Sequence, residues 1–565
     1  MTKTLTDGQS CDVLVVGSGA GGLATAVTAA KHGLDVVVIE KEPVFGGTTA
    51  FSGGVLWVPG NRHCGANDNR DEARRYMMEE TGNFYDAAAV EAYLETGPEM
   101  LDWFERETSV AFVPTLYPDY HPDVPGGVDV GRSVLAAPFD TSALGKDMKR
   151  LRPPLSTITF MGMMFNSSNA DIKHFFNATK SLKSFLYVSK RLALHFSEVL
   201  RYGRGANVTS GNALAARLAK SCFDLNIPIH TDCPATKLIS GPDGVTGAEI
   251  RTPDGVVTVT ARKGVVLAAG GFAQDTDRIR KAYPHLKRGG EHFTPVPEGN
   301  TGDGIDLGEA AGGKFDVQFP NTSAWMPVSK VPTGNGSFTA FPHLLDRYKP
   351  GIVAVLKSGA RFTNESESYH DVGAALMAAC EGETETACWL IADQTAMRKY
   401  GLGFAKPAPV PTALYTRSGY LKKGRTLAEL AEACGIDPKG LERHIAAYNE
   451  GARQGEDPAF RRGSTAFNRY LADPEVTPNP CVAPLETGPF YAVKIVMGDL
   501  GTFDGFETTV EGQVLDREGS AIPGLFAVGN DRASIMGGNY PGAGITLGPA
   551  MTFGYITGRH LAGAA

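Results

Sequence analysis

The sequence predicts an α/β chain. A doubly wound, largely parallel-sheet domain is built from both chain ends, and an α+β unit is inserted between them. Three observations carry that expectation. Residues 12–40 read as strand, glycine-rich turn, helix and second strand, the signature of parallel strands joined by a crossover helix. From about 285 to 485 the alternation of strand and helix is lost, and prolines and polar loops are frequent. From Phe490 a glycine-punctuated style returns and runs to the C-terminus. The expected units are therefore 1–284 with 486–565, and 285–485.

Bulk properties narrow the function. A chain of 565 residues exceeds what one compact core organises, so more than one domain is expected. A net charge of −8 gives no basic footprint and argues against a nucleic-acid partner. Eight cysteines are scattered without a C-x-x-C pair, against a zinc site or a disulfide framework and in keeping with a reducing cytoplasm. The 12 histidines show no metal-ligand spacing, so no metal is expected. The first ten residues carry no signal-peptide pattern. Val13–Ala30 is 18 residues without a charge, but its glycine cluster reads as a buried strand, turn and helix rather than a membrane span.

The elements follow in order. Asp12–Val16 is an apolar strand, Gly17–Gly22 a turn, and the next run a helix to Lys31. Asp35–Ile39 is a second strand that ends at Glu40. Residues 69–108 have helical character, with Tyr93, Leu94, Met100, Leu101 and Trp103 as apolar anchors. Residues 110–135 are rich in Pro, Gly, Asp and Tyr and read as irregular. Residues 171–201 read as a long amphipathic helix; from Asp171 to Arg204 seven Lys/Arg stand against two Asp/Glu. A helix at about 211–225 precedes strands near 228–239, 246–251 and 256–260. The strand Gly264–Ala269 stops at Gly270-Gly271-Phe272. Near the C-terminus a short strand, Leu525–Val528, ends at Gly529-Asn530, and the glycine-rich run 537–549 opens a helix through Met551, Phe553, Gly554 and Tyr555.

The spacing G-x-G-x-x-G at Gly17, Gly19 and Gly22 lets the backbone turn sharply and approach a pyrophosphate at a helix N-terminus. Glu40, at the end of the following strand, suits a ribose hydroxyl. Nicotinamide and flavin dinucleotides share this fingerprint. A second glycine- and hydroxyl-rich loop, Gly46–Gly54, suits an extended dinucleotide and favours FAD. The expected cofactor-binding residues are Gly17, Gly19, Ala20, Gly22, Glu40, Lys41, Gly47, Thr48, Thr49, Ser52, Gly53 and Gly54. Ala235, Ala269, Gly270, Gly529, Asn530, Gly544, Thr546 and Leu547 complete the set. The C-terminal helix would present its N-terminus to the flavin edge that becomes negative on reduction. No His or Cys lies in the motifs expected near the isoalloxazine, so the FAD is expected to be non-covalent.

With these motifs the chain resembles the flavoprotein superfamily of fumarate reductases and 3-ketosteroid dehydrogenases, and within it the 3-ketosteroid Δ1-dehydrogenases. The resemblance also rests on Pro118–Pro122 with Pro125-Gly126-Gly127, on Gly211–Leu214, Val265–Phe272, Arg361–Ser366 with Tyr369, Gly498–Thr502 and Tyr540–Gly544. It spans nearly the whole chain. It implies a Rossmann-like FAD domain with an inserted catalytic domain. Tyr540 and the backbone of Gly544 would grip a ketone oxygen, Tyr369 would act as base, and Tyr120 would assist it, with Tyr117 as its rival. A tyrosine base needs its pKa lowered by neighbours or a route to pass the proton on. The catalytic Arg and His pattern of the fumarate reductases is not found.

The implied reaction is α,β-desaturation of a cyclic ketone, first a 3-ketosteroid at the Δ1 position. A smaller cyclic ketone, Δ4-(5α) desaturation, a fumarate-reductase-like ene-reductase and a flavin-binding protein without turnover are the other readings. The external electron acceptor is left open. A cytoplasmic protein is expected. The basic segment within 160–204 reads first as a solvated helix and second as a peripheral membrane contact.

Overall fold

The computed structural model describes residues 4–64, 68–164, 174–175, 181–242 and 244–564. The first sheet holds Ala521–Ala527, Gly255–Leu267, Gln9–Val16, Val36–Ile39 and Ile229–His230 side by side, all parallel. Its inner strands are apolar runs buried on both faces, as a sheet covered by helices requires. Ala235–Gly241 and Gly244–Thr252 extend Gly255–Leu267 as an antiparallel ribbon. The helix Ala20–Lys31 crosses between the first two strands. It packs on the C-terminal helix Leu547–Ala562, where Gly554 faces Gly21 and Ala24, and Gly558 faces Thr28. A Cβ at Gly558 would come within 2.7 Å of Thr28 Cβ, so these glycines set the helix separation. The α/β architecture expected from sequence is thus present, with both chain ends in one sheet.

The second sheet orders Phe338–Pro342, Ser323–Pro332, Phe490–Thr502, Ala387–Ala392 and Ile352–Val355 in antiparallel pairs, with Lys422–Gly424 also on Phe490–Thr502. The longest of these strands falls within the stretch 486–565. Phe490–Thr502 is a nearly continuous buried run, and it is paired along both edges inside the second sheet. The glycines Gly498 and Gly501 gave it the style of the N-terminal unit, but burial on both faces made it a central strand. The chain rejoins the first sheet only at Gln513–Leu515. The helix Asp303–Ala310, expected in the inserted unit, packs through Gly308 on Leu267 and Phe506 of the first.

Other elements refine the reading. The helical stretch 69–108 is two helices, Arg70–Thr81 and Ala87–Glu107, divided at Gly82, whose φ is +52°. Two short strands, Phe112–Pro114 and Ser133–Ala136, bracket the irregular stretch and pair with each other, and Ser133–Ala136 pairs on its other edge with Val55–Trp57. The basic helix runs Leu182–Tyr202, closed by Gly203 in the left-handed conformation. Residues 165–173 and 176–180 of the expected amphipathic segment lie outside the described residues. No helix among the described residues is long and apolar enough to cross a membrane.

Candidate active site

The dinucleotide end is built around the N-terminus of Ala20–Lys31. Gly17 has φ +113°, and its N–H donates to the Ile39 carbonyl at 2.8 Å. A Cβ on Gly22 would meet Gly17 O at 2.5 Å and Ala268 Cβ at 3.0 Å, so this glycine serves helix–strand packing. Gly19, the N-cap, has no side-chain cap, and a Cβ there would meet nothing closer than Thr49 Oγ1 at 3.7 Å. A Cβ on Gly47, which lies opposite, would come nearest to Gly19 Cα at 3.6 Å, and one on Gly529 would meet nothing within 4 Å. Three glycines thus face open space at a helix N-terminus, a cradle that fits a pyrophosphate.

The loops around it are fixed by side chains. The Ala20 N–H donates to Thr49 Oγ1 at 3.0 Å. Glu40 accepts from Ser18 N–H and Oγ and from the Glu42 N–H, which holds its carboxylate at the strand end; burial pushes its pKa up against those bonds. Ser52 Oγ donates to Thr49 O and accepts from the Gly54 N–H. Gly53 borders Val55, and Gly54 sits against the Ser210 and Gly211 backbone, so Gly54 packs rather than faces the cradle. Lys41 is engaged elsewhere, with Thr301 at 2.6 Å and Asp303 at 2.7 Å. Ala235 opens a strand of the antiparallel ribbon.

Two residues here escaped sequence reasoning. Asn300 Nδ2 donates to Thr48 Oγ1 and to Gly270 O, tying the inserted stretch to both glycine loops. Asp531 accepts from the Ala269 N–H at 2.6 Å and the Gly271 N–H at 2.9 Å, locking the loop after one strand to the turn after the next. Its position directly after Gly529-Asn530 was the available signal. Asn530 itself packs against Gly271 and Gly501.

The tyrosines come from three elements. Tyr120 is on the loop between Phe112–Pro114 and Ser133–Ala136, Tyr369 is the first residue of the helix Tyr369–Ala379, and Tyr540 precedes Leu547–Ala562. Tyr120 Oη donates to Tyr369 Oη at 3.4 Å. The Tyr120 and Tyr540 rings stack at 5.6 Å, and Tyr369 meets Tyr540 edge-on at 5.0 Å. Phe467 and Phe503 close the cluster. Tyr117 pairs instead with Tyr470, at 4.7 Å.

Local sequence explains the assembly. Asp119 accepts from Trp57 Nε1 and Arg132 Nη1, both at 2.7 Å, and pairs as an isolated bridge with Gly542. The Tyr120 N–H and the Tyr76 hydroxyl both donate to Pro541 O. Ser133 Oγ takes Ala543 O, and the Trp57 N–H takes Gly544 O. A Cβ at Gly542 would strike the Trp57 indole at 2.5 Å, and one at Gly544, where φ is +97°, would strike Val55 O at 2.4 Å; only glycine permits this approach. The carbonyls of this loop are occupied, whereas the Gly544 N–H has no acceptor among the described residues. Before Tyr369, Arg462 holds Ser366 Oγ and the Ile352 and Arg347 carbonyls, and Ser368 caps the helix at the Asp371 N–H.

Burial dominates the electrostatics of the three phenols. Burial, with repulsion from Tyr120 and Tyr540, holds the Tyr369 phenol well above the ordinary tyrosine range. Burial also raises Tyr120, with Tyr540 adding to the rise. Tyr540 is raised by burial as well, partly offset by hydrogen bonds with Tyr369 and Thr546. No neighbour lowers the pKa of Tyr369, so the route that remains for it is to share or pass on the proton.

Fold and site together define a flavoprotein: a dinucleotide cradle, a second glycine loop and a helix N-terminus fit FAD. The model of the FAD binding domain family matches residues 12–547, and the chain belongs to that family. It is 44% identical over 555 residues, 98% of this chain and 94% of the relative, to a 4-oxocyclohex-2-ene-1-carboxylate 5-dehydrogenase of Sinomonas cyclohexanicum. It is 36% identical to a 3-oxosteroid 1-dehydrogenase of Mycolicibacterium smegmatis, over 99% of this chain and 98% of that one. The crystal structure of 3-ketosteroid Δ1-dehydrogenase from Sterolibacterium denitrificans, in complex with 1,4-androstadiene-3,17-dione, superposes with a TM-score of 0.89 at 33% identity, covering 99% of this chain and 100% of that one. The protein is an FAD-dependent oxidoreductase acting on CH–CH groups.

Proposed function

We propose that the chain desaturates a cyclic ketone at the carbons α and β to its carbonyl. The single observation that carries this is the convergence of Tyr120, Tyr369 and Tyr540 beside the unpaired Gly544 N–H. Tyr540, kept protonated by burial, and the Gly544 N–H donate to the ketone oxygen and stabilise the enolate charge that forms as the α proton leaves. Tyr369 takes that proton, and Tyr120, in hydrogen-bond reach, shares it. Gly17, Gly19, Gly47, Glu40, Asn530 and Thr546 would hold the FAD. When bound, FAD supplies the acceptor for the β hydride. The substrate loses one proton and one hydride and gains a C=C bond; an external acceptor takes the electrons.

For the substrate, 44% identity to an enzyme named for a single-ring oxocyclohexene carboxylate, against 36% to one named for 3-oxosteroids, favours the smaller ring. The steroid reading, first from sequence, is kept second on the strength of the 0.89 TM-score to the steroid-bound enzyme. Turnover of 4-oxocyclohex-2-ene-1-carboxylate and of androst-4-ene-3,17-dione with a dye acceptor, read by product mass, tests both. Loss of two hydrogens from either supports desaturation; loss from neither refutes it.

We further propose peripheral contact with an anionic bilayer surface through the described part of 160–204. Leu182–Tyr202 leaves Leu182, Phe185, Leu186, Phe196 and Leu200 exposed, alongside Lys183, Lys190 and Arg201, on a chain of net charge −8. Sedimentation with phosphatidylglycerol vesicles, but not phosphatidylcholine vesicles, would support this; no sedimentation with either would refute it.

A further inference from the structure

Beside the tyrosines lies a row of three charged groups drawn from three elements. Glu80 belongs to the helix Arg70–Thr81, His121 follows Tyr120, and Asp371 lies two residues after Tyr369. His121 Nδ1 meets Glu80 Oε1 at 2.9 Å, and Nε2 meets Asp371 Oδ2 at 2.9 Å. Asp371 also accepts from Ser368 Oγ at 2.5 Å, so it is fixed to the turn that starts the Tyr369 helix. The other end is equally anchored: the His121 N–H donates to Tyr76 Oη, which holds Pro541, and the Asn539 side chain donates to Glu80 O.

The charge states follow from these contacts. Burial would push His121 down, but hydrogen bonds to Asp371 and Glu80 outweigh it and hold its pKa up at about 11. Burial would push Asp371 up, but the bond from His121 keeps it below the ordinary carboxylate range. His121 is thus held in its cationic form between two acidic side chains.

We propose that Glu80, His121 and Asp371 form an ionic clasp that sets the separation of the Tyr120 and Tyr369 hydroxyls, and that His121 is a positioning residue for proton removal. Among the described residues, no backbone hydrogen bond joins the Tyr120 loop to the Tyr369 helix; His121–Asp371 is the polar tie beside the phenol pair itself. The Tyr120–Tyr369 distance of 3.4 Å is already beyond the usual O–H···O range, so a small drift opens it. The clasp ties each tyrosine through a neighbour in its own segment. It rests on the reading that Tyr369 and Tyr120 remove the α proton.

The test is α-hydrogen exchange of 4-oxocyclohex-2-ene-1-carboxylate and androst-4-ene-3,17-dione in D2O on the FAD-loaded enzyme, together with the rate of anaerobic flavin bleaching. His121→Gln and Asp371→Asn are expected to slow exchange and bleaching in parallel by roughly 10- to 100-fold, the scale of a misplaced base. Ketone affinity and FAD content should stay within about twofold, and Asp371→Glu should recover part of the rate. If His121→Gln folds poorly, Asp371→Asn decides. Unchanged exchange in a folded Asp371→Asn variant overturns the clasp, as does a loss explained wholly by weaker ketone binding. Tyr369→Phe separates the two claims. If it too exchanges normally, the proton-removal reading fails; if it alone loses exchange, only the clasp fails.

Discussion

The hydroxyls of Tyr120 and Tyr369, 249 residues apart in the chain, lie 3.4 Å from each other, and burial holds both phenols above their ordinary range. One sits on a loop of the unit that carries the N-terminus, the other at the start of a helix of the inserted unit. The proposed catalytic geometry therefore joins two distant segments of the chain.

The first consequence is a pH profile. Burial holds Tyr369 and Tyr120 above the ordinary phenol range, and Tyr369, the proposed base, would work only when deprotonated. A raised pKa means that the active fraction is small at neutral pH and grows as pH rises. The flavin-reduction rate should climb by up to about tenfold per pH unit from about pH 7 to 10, and Tyr369→Phe should remove the climb. A flat wild-type profile over that range, measured by anaerobic stopped flow, would contradict the assignment.

Tyr540→Phe removes one of two donors to the ketone oxygen while keeping the ring that stacks on Tyr120. The rate of flavin reduction should fall by about 10²–10³, the usual cost of an oxyanion donor, with ketone affinity much less affected. Fold stability, followed by thermal denaturation, should change little, because the stack remains.

Cofactor binding and folding should separate at two glycines of one motif. A side chain at Gly19 meets open space, so Gly19→Val should fold, with a Tm close to wild type, yet purify largely without FAD absorbance. A side chain at Gly22 collides with Gly17 O and Ala268, so Gly22→Val should lose stability by about 1–3 kcal/mol or more, the range for overpacked cores. Equal loss of stability in both would place the cradle elsewhere.

Arg132 is fully buried between Asp68 and Asp119, and Asp119 anchors Tyr120. Even with that partner, burial pushes the Asp119 pKa up to about 6. Arg132→Met should cost about 3–5 kcal/mol in urea denaturation by leaving the carboxylate uncompensated. Asp119→Asn in the same chain should recover part of it.

Much of this was legible in the sequence where the signal is local. The strand–turn–helix at 12–31, Glu40 at its strand end and the Tyr540–Gly544 motif all stand in short windows whose backbone demands are visible in glycine spacing. The contacts that tie distant segments were not. Asn300 and Asp531 act on loops that sequence periodicity does not connect to them, and Asp119 gains its role only once Arg132 and Trp57 fold onto it. The sheet that Phe490–Thr502 joins was not legible either: its glycines resemble those of the first unit, while it pairs with Ser323–Pro332 and Ala387–Ala392 far upstream. The rise in the phenol pKa values was out of reach for the same reason: desolvation is a property of the assembled cluster.

The most direct measurement is an anaerobic titration of the FAD-loaded protein with 4-oxocyclohex-2-ene-1-carboxylate and, separately, with androst-4-ene-3,17-dione, following flavin absorbance in wild type, Tyr369→Phe and Tyr540→Phe. Bleaching of wild type by at least one ketone, strongly slowed in both variants, is the predicted result. Wild type that stays oxidised with both ketones, or variants that bleach as fast as wild type, would contradict the assignment of this tyrosine cluster to ketone desaturation.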